Sequence, residues 1–445
     1  MAFEIQAGGR RSFWLRPPAL VALGFAGAIL FGTILLHLDA AANTSHHAPL
    51  TWLEAFFTAT SAACVTGLIV VDTAHDLSMF GQGVVLVLFQ LGGLGVMTLA
   101  LLVLHSLSNR VRNVAGNTAS STLMSSFFRG HPKRTLALVL GGTLMLEAAG
   151  AISLFGAITE PNAGWKSVFL SVSAFCNAGF DNLDVGLEPY AGHWGFGLPL
   201  MLLWLFGGLG FLVPAAIWAN RFDPEVRLVL WASALLIPLG ALLFWVFEKE
   251  GLLQDHSAPS RWLLSFFQGN TSRTAGFSML DLGDARRVTL LTMIPLMLIG
   301  GASGGTAGGM KIGTVLVFLA GLWAYLRGHK RVHFMKHTLP MIVVRRAFLV
   351  VTLMLLSQGV LATALTLFES GGAASLEAIL FESASALGTV GLSTGITASL
   401  SPASQIALAI GMFLGRLGPL TLIWALVRQT KDRTISYPER DFPIG

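Results

Sequence analysis

Charge is scarce in this chain. Asp, Glu, Lys and Arg make up 11% of the 445 residues, while 54% are hydrophobic and the mean hydropathy is +0.70. That shortage excludes an ordinary soluble domain and makes the bilayer the solvent. Cysteine is nearly absent, and the two present, Cys64 and Cys176, can neither build a disulfide framework nor close a zinc site by themselves. No nucleophile, base and orienting group stand together, and no ligand set has metal spacing, so a membrane enzyme is not expected. A secretory cleavage pattern is also missing, because Arg16, Pro17 and Pro18 lead straight into an apolar run of spanning length. The net charge of +5 does not point to nucleic acid, since the basic residues are divided among short loops where topology and anionic headgroups account for them.

Apolar runs are what the chain has in abundance. A helix needs about 20 mostly apolar residues to cross a bilayer, and eight principal runs are expected to do so: Leu20–Leu38, Gly83–Leu104, Leu136–Ile158, Gly197–Ala219, Val226–Phe247, Val288–Tyr325, Phe348–Phe368 and Ala403–Val427. An even number puts both termini on one side. Basic residues cluster at Arg10–Arg16, Arg110–Arg134, Arg221–Arg227, Arg327–Arg346 and Arg428–Arg440, which predicts those stretches, and both termini, to be cytoplasmic. Most acids, among them Asp72, Asp181, Asp184 and Glu382, fall in the opposite loops, where they would attract cations.

Four segments align internally: Ser61–Leu68, Ser173–Phe180, Asn270–Phe277 and Ser385–Leu392. Their glycines, Gly67, Gly179, Gly276 and Gly391, are 112, 97 and 115 residues apart. Each follows a short apolar stretch (Trp52–Ala62, Trp165–Phe175, Trp262–Gln268, Leu376–Ala386) too short to span and of re-entrant length. Irregular backbone at membrane depth is tolerated only inside protein or along a water-filled cavity. The expected fold is therefore an all-α polytopic membrane protein of four repeats, each a helix, pore half-helix, filter loop and helix, around one central pore. The repeats divide at 1–110, 111–222, 223–335 and 336–445, the third holding an intramembrane gating loop and the fourth a C-terminal tail.

The loop chemistry points to a monovalent cation, because backbone carbonyls replace the hydration shell of potassium without a fixed negative charge. The candidate ion-binding residues are Val65, Thr66 and Gly67, Asn177, Ala178 and Gly179, Thr274, Ala275 and Gly276, and Thr389, Val390 and Gly391. The fourth set comes near the Thr-Val-Gly-Tyr-Gly filter of potassium channels. The sixth apolar run is broken by Gly300, Gly301, Ala302, Ser303, Gly304, Gly305, Thr306, Ala307, Gly308 and Gly309, which disfavour a helix by about 1 kcal/mol per glycine. This stretch resembles a phosphate loop only faintly, since Ile312 stands where Ser or Thr is required. Arg416 lies inside the last apolar run, where an ionised side chain marks a functional candidate. Lys311 is expected to snorkel to the inner interface, and Glu147 to hydrogen-bond between helices.

In these residues the chain resembles the Ktr, Trk and HKT superfamily of potassium transporters, most closely the membrane subunits of bacterial Ktr systems. Val65-Thr-Gly-Leu, Asn177-Ala-Gly-Phe, Arg273-Thr-Ala-Gly-Phe and Gly388-Thr-Val-Gly-Leu carry the likeness in order, followed by Gly415-Arg-Leu-Gly-Pro-Leu-Thr421. The short N-terminus agrees, since the Trk branch usually has extra helices there. The resemblance implies potassium uptake across a bacterial cell membrane, with Na+ as a second candidate ion and no covalent cofactor. It implies a homodimer, one pore per subunit, on a cytosolic ring of nucleotide-binding regulatory subunits of the KtrA type, with the C-terminal tail contacting the partner. Glycine in all four loops goes with potassium preference. The broken stretch, with Lys311 at its end, takes the gate position, and Arg416 faces the pore beneath the filter as part of the gate. A secondary symporter for an organic solute is the second reading, but such folds usually show two inverted halves rather than four units of one orientation.

Overall fold

The computed structural model describes residues 17–43, 48–95, 132–210, 212–218, 224–335, 337–370 and 374–418. His46, His47 and the C-terminal tail lie outside the described residues.

Helices dominate because the apolar runs must satisfy every backbone amide and carbonyl internally. The first repeat holds α1 (Pro17–Leu36), α2 (Trp52–Ala63) and α3, described over Met79–Gly95. The second holds α4 (Pro132–Phe155), α5 (Ala163–Cys176), α6 (Trp194–Leu209) and α7 (Leu212–Trp218). In the third are α8 (Pro224–Glu248), α9 (Ala258–Thr271), α10 (Arg287–Leu298) and α11 (Ile312–Leu326), and in the fourth α12 (Met341–Phe368), α13 (Leu376–Gly388) and α14 (Pro402–Leu417). A hairpin of two-residue strands, His333–Phe334 with His337–Thr338, joins α11 to α12.

Among the described residues, the long apolar helices Ala137–Phe155, Val226–Glu248 and Met341–Phe368 have the length to cross a membrane unaided. The expectation of continuous second helices needs correction at two places. The run 197–219 breaks at Gly210, whose φ of 69° no helix accommodates, and α14 stops at Leu417, with Gly418 at φ 78°; the run 288–325 opens, as its glycines predict, into a loop over 299–311.

The half-helices α2, α5, α9 and α13 have 12, 14, 14 and 13 residues, about half a bilayer thickness at 1.5 Å per residue. Thr51 and Glu54 close a capping box at the start of α2, and Ser375 caps α13. Each is pinned by a fully buried phenylalanine, Phe57, Phe169, Phe267 and Phe381. Phe89 of α3 meets Phe169 edge-on at 5.4 Å, and Trp204 of α6 meets Phe267 at 4.8 Å. These contacts reveal the ring order. The second helix of each repeat packs on the half-helix of the next, α3 on α5, α6 on α9, α10 on α13, and α14 closes back onto α2.

Glu248, fully buried at the end of α8, fixes the third repeat by accepting bonds from the backbone N–H of Leu252 (3.1 Å) and Arg286 (2.9 Å) and from the Thr289 hydroxyl. Each buried donor orphaned costs about 1–3 kcal/mol. Glu248→Ala is therefore expected to lower stability by about 3 kcal/mol or more, read as a fall of several degrees in the thermal midpoint of the detergent-solubilised protein; an unchanged midpoint would show the cluster to be idle.

Candidate ion pathway

Each aligned glycine ends a loop that begins at the C-terminus of a half-helix. Three half-helices finish in a Schellman motif. Val65, Asn177 and Thr389 take left-handed conformations (φ 58°, 60° and 48°) and donate to the carbonyl three residues back, while Thr66, Ala178 and Val390 donate to Ser61, Ser173 and Ser385, each at 2.8 Å. In the third loop Thr274 is left-handed at φ 67°, and Ala275 donates to Thr271 at 3.0 Å. Left-handed β-branched residues are outliers and cluster where a site over-determines the backbone. Two residues on, Gly67, Gly179, Gly276 and Gly391 are again at positive φ, 93°, 72°, 80° and 94°. Alternating hands of this kind turn successive carbonyls toward one side instead of opposite sides.

The four loops meet in cyclic order. A methyl group added to Gly67 would lie 3.0 Å from Gly179 Cα, one on Gly179 2.9 Å from Gly276 Cα, one on Gly276 3.4 Å from Gly391 Cα, and one on Gly391 3.0 Å from Gly67 Cα. The structure thus brings the four glycines together with the carbonyls of Thr66, Ala178, Ala275 and Val390, one from each loop. The negative ends of four half-helix dipoles point at the same place, which favours a cation there.

Sequence reasoning passed over what holds these loops. Ser61 and Ser385 accept the N–H of Gly67 (3.1 Å) and Gly391 (3.0 Å), whereas Ser173 and Thr271 donate to the carbonyls of Phe180 and Phe277, both at 2.6 Å. A serine six residues before the glycine in three repeats was the available signal. Outside the ring, buried Glu382 accepts from Ser393 (2.5 Å), the Thr394 N–H (3.0 Å) and Thr397 (2.8 Å), and Gln268 donates to Ser278 at 2.8 Å. Asp181 directly follows the second loop; burial pushes its carboxyl up to about 7, against a bond from the Leu183 backbone and with Asp72 and Glu160 adding to the rise.

A second fourfold signal lies in the second helices: Leu91-Gly-Gly-Leu-Gly95, Phe206-Gly-Gly-Leu-Gly210, Ile299-Gly-Gly-Ala-Ser-Gly304 and Leu414-Gly-Arg-Leu-Gly418. In three repeats the first of these glycines, Gly92, Gly207 and Gly415, lies so close to the half-helix carbonyls of Ala63, Phe175 and Leu387 that a methyl group cannot be added. In the third repeat the helix leaves its course at this level and makes the loop 299–311. Its ends are tied together by Gly300 N–H to Met310 O (2.9 Å), Met310 N–H to Leu298 O (3.0 Å) and Ile312 N–H to Gly301 O (3.1 Å).

This loop crosses beneath the glycine ring. Ala302 and Thr306 donate their N–H groups to the carbonyls of Gly208 (2.9 Å) and Gly207 (3.0 Å) where α6 breaks, and Gly207 O also accepts from Gly210 N–H at 3.2 Å. Gly308 lies against the Thr389 side chain, so the loop reaches from the second repeat to the fourth. Arg416, 7% exposed, donates through Nη1 to Thr306 O (2.6 Å) and through Nη2 to Gly92 O (2.8 Å). Of the glycine-rich stretch, only Ser303 is exposed. Lys311 does not snorkel: its Nζ donates to Ala307 O at 2.6 Å, within the loop. Glu147 hydrogen-bonds between helices, its carboxylate accepting from Gln90 Nε2 at 3.0 and 3.2 Å, and Gln90 Oε1 accepts from Cys176 Sγ at 2.9 Å.

Comparison with known proteins agrees with this geometry. The chain matches the TrkH family, described as cation transport proteins, over residues 10–222 and 225–435. It is 34% identical to Ktr system potassium uptake protein B of Bacillus subtilis, over 97% of this chain and 98% of that protein, and 33% identical to its namesake of Vibrio alginolyticus, over 95% and 93%. Potassium/sodium uptake protein NtpJ of Enterococcus hirae is 32% identical over 97% and 98%. The crystal structure of the potassium transporter TrkH from Vibrio parahaemolyticus superposes with a TM-score of 0.71 at 21% identity, covering 91% of this chain and 85% of that one, which is a likeness of fold. With a family match over nearly its whole length and relatives above 30% identity, the chain belongs to the TrkH family of cation transport proteins.

Proposed function

We propose that the chain is a potassium uptake pathway of a bacterial cell membrane, in which the four glycine-centred loops form the selectivity filter and the loop 299–311 with Arg416 forms the gate. The observation that carries this reading is the cyclic approach of Gly67, Gly179, Gly276 and Gly391, with their backbones at positive φ. Rings of backbone carbonyls select potassium, and a closed loop beneath them has to move before an ion passes. The names of the Ktr relatives support potassium as the ion, and that of NtpJ supports sodium as a second ion or a coupling ion. The same reading includes four repeats at 1–110, 111–222, 223–335 and 336–445, both termini cytoplasmic, and a homodimer on a cytosolic ring of KtrA type.

The test is flux of K+, Rb+ and Na+ into liposomes holding the purified protein, alone and with the regulatory ring. Flux of K+ and Rb+ well above Na+ is expected. No cation flux under either condition would overturn the reading in favour of an organic-solute symporter.

Asp181 adds a pH dependence. Its acid form is neutral below about 7 and its carboxylate is negative above, and a negative group at the mouth raises local cation concentration. Potassium uptake at low ionic strength is expected to rise as external pH passes upward through about 7, and Asp181→Asn to flatten that rise. A profile identical in the variant would remove Asp181 from the mouth.

A further inference from the structure

We propose that Thr306 is a positioning residue that couples the gate loop to the second filter loop, so that opening the gate also changes how well the filter separates K+ from Na+. The inference rests on the filter and gate assignments above.

Thr306 is fully buried and bonded on every polar group it has. Its N–H donates to Gly207 O at 3.0 Å, and its carbonyl accepts from Arg416 at 2.6 Å. Its hydroxyl has Asn177 Oδ1 at 2.8 Å and Phe175 O at 3.1 Å as acceptors. Phe175 is in the last turn of α5, and Asn177 is the left-handed residue that opens the second loop at φ 60°. One hydroxyl therefore joins the gate to both the half-helix end and the backbone reversal that aims the carbonyls of that loop. There is no slack at the junction. A methyl group on Gly207 would come within 2.8 Å of the Thr306 hydroxyl and 2.9 Å of Asn177 Oδ1.

The corresponding residues of the other loops are arranged differently. Thr274 and Thr389 have buried hydroxyls without a hydrogen-bond partner, and Val65 has none to offer. Among the described residues, the link between gate and filter by side-chain hydrogen bond is thus confined to the second repeat. Arg416 holds the Thr306 carbonyl from the other side, so a loop that swings out of the path cannot keep both bonds. Moving it takes from Asn177 the hydroxyl that its amide oxygen accepts, at the left-handed residue on which the second loop turns. Coupling of this kind is reciprocal, so whatever loosens Asn177 also favours the open gate.

The experiment uses the full chain in liposomes and reads resting K+ flux together with the K+/Na+ ratio. Thr306→Val, which keeps the shape and removes the hydroxyl, is expected to raise resting flux and to lower the ratio, each by about fivefold, the effect of one neutral hydrogen bond. Thr306→Ser is expected to keep both at wild-type values. Asn177→Ala, in the filter, is expected to raise resting flux as well, and the double variant to go no further than either single one. The proposal fails if Thr306→Val changes flux while the ratio stays at the wild-type value, since the loop is then a plug independent of the filter. It fails equally if the two substitutions multiply, or if Asn177→Ala leaves resting flux unchanged; this last arm stands even where Thr306→Val does not assemble. Absence of flux in the wild-type protein would overturn the potassium-pathway reading itself and is told apart by that control.

Discussion

Gly391→Ser is expected to bring the K+/Na+ flux ratio close to unity and to cut potassium flux by about tenfold or more. Gly391 is at φ 94°, where an L-residue is destabilised by about 1–2 kcal/mol. Its new Cβ would stand 3.0 Å from Gly67 Cα and nearer still to the Thr66 carbonyl. That carbonyl belongs to the ring, so the clash is relieved only by displacing a group that would replace ion hydration. A distortion of about 1.4 kcal/mol is tenfold in an equilibrium, and discrimination between two bare ions depends on energies of that order. Gly395→Ser is the control. Gly395 also has a positive φ, 86°, but an added Cβ there meets nothing within 4 Å. Ion flux into liposomes should fall out as a selectivity loss for Gly391→Ser and near-normal selectivity for Gly395→Ser. Equal ratios in the two variants would assign the effect to backbone strain and sink the carbonyl ring.

Arg416→Gln is expected to raise resting potassium flux by at least about tenfold without the regulatory ring. The arginine holds the loop 299–311, the proposed gate, through Thr306 O and braces itself on Gly92 O of the first repeat. Charge-assisted hydrogen bonds are worth about 1.5–3 kcal/mol each, so replacing the guanidinium by an amide removes at least one such bond from the closed state. In the proposed pathway it also removes a positive charge from the route of a cation in a low-dielectric setting. Both effects act in the same direction. Arg416→Lys keeps the charge but loses the two-armed geometry, and its flux should fall between wild type and Arg416→Gln. A lowered resting flux in Arg416→Gln, in protein that still elutes as wild type, would show that the arginine supports the open state instead.

Much of this was legible in the sequence, and what was not has physical causes. The half-helix ends at Trp52 and Leu376 are read directly from an apolar run beginning after a capping Thr51 or Ser375. The starts of α5 and α9, at Ala163 and Ala258, lie earlier than the apolar stretches do, because their first turns are polar. The glycine positions give the ring, since each comes three to five residues after its half-helix. Hydropathy missed the breaks at Gly210 and Gly418, because a change of backbone hand does not alter apolarity. The serines behind the loops were visible in the alignment, but nothing in one sequence tells a donor from a packing residue. Nor does sequence spacing show that Lys311 turns back to Ala307, or that the Thr306 hydroxyl lies beside Asn177, 129 residues away.

The closing of α14 onto α2 has a consequence for biosynthesis. Each later half-helix packs on a helix of the preceding repeat as well as on the first helix of its own, and the first packs on α1 and on α14. Chains grow from the N-terminus, so a nascent chain or a truncated product ending before Pro402 lacks α14 and has an open flank at α2. Such a product can hold all four glycine loops, Gly391 included, but has no Arg416 to bond to Thr306 O in the loop 299–311. In the proposed pathway, closure of the ring at α2 and the bond that holds the loop 299–311 therefore come from the same segment, α14.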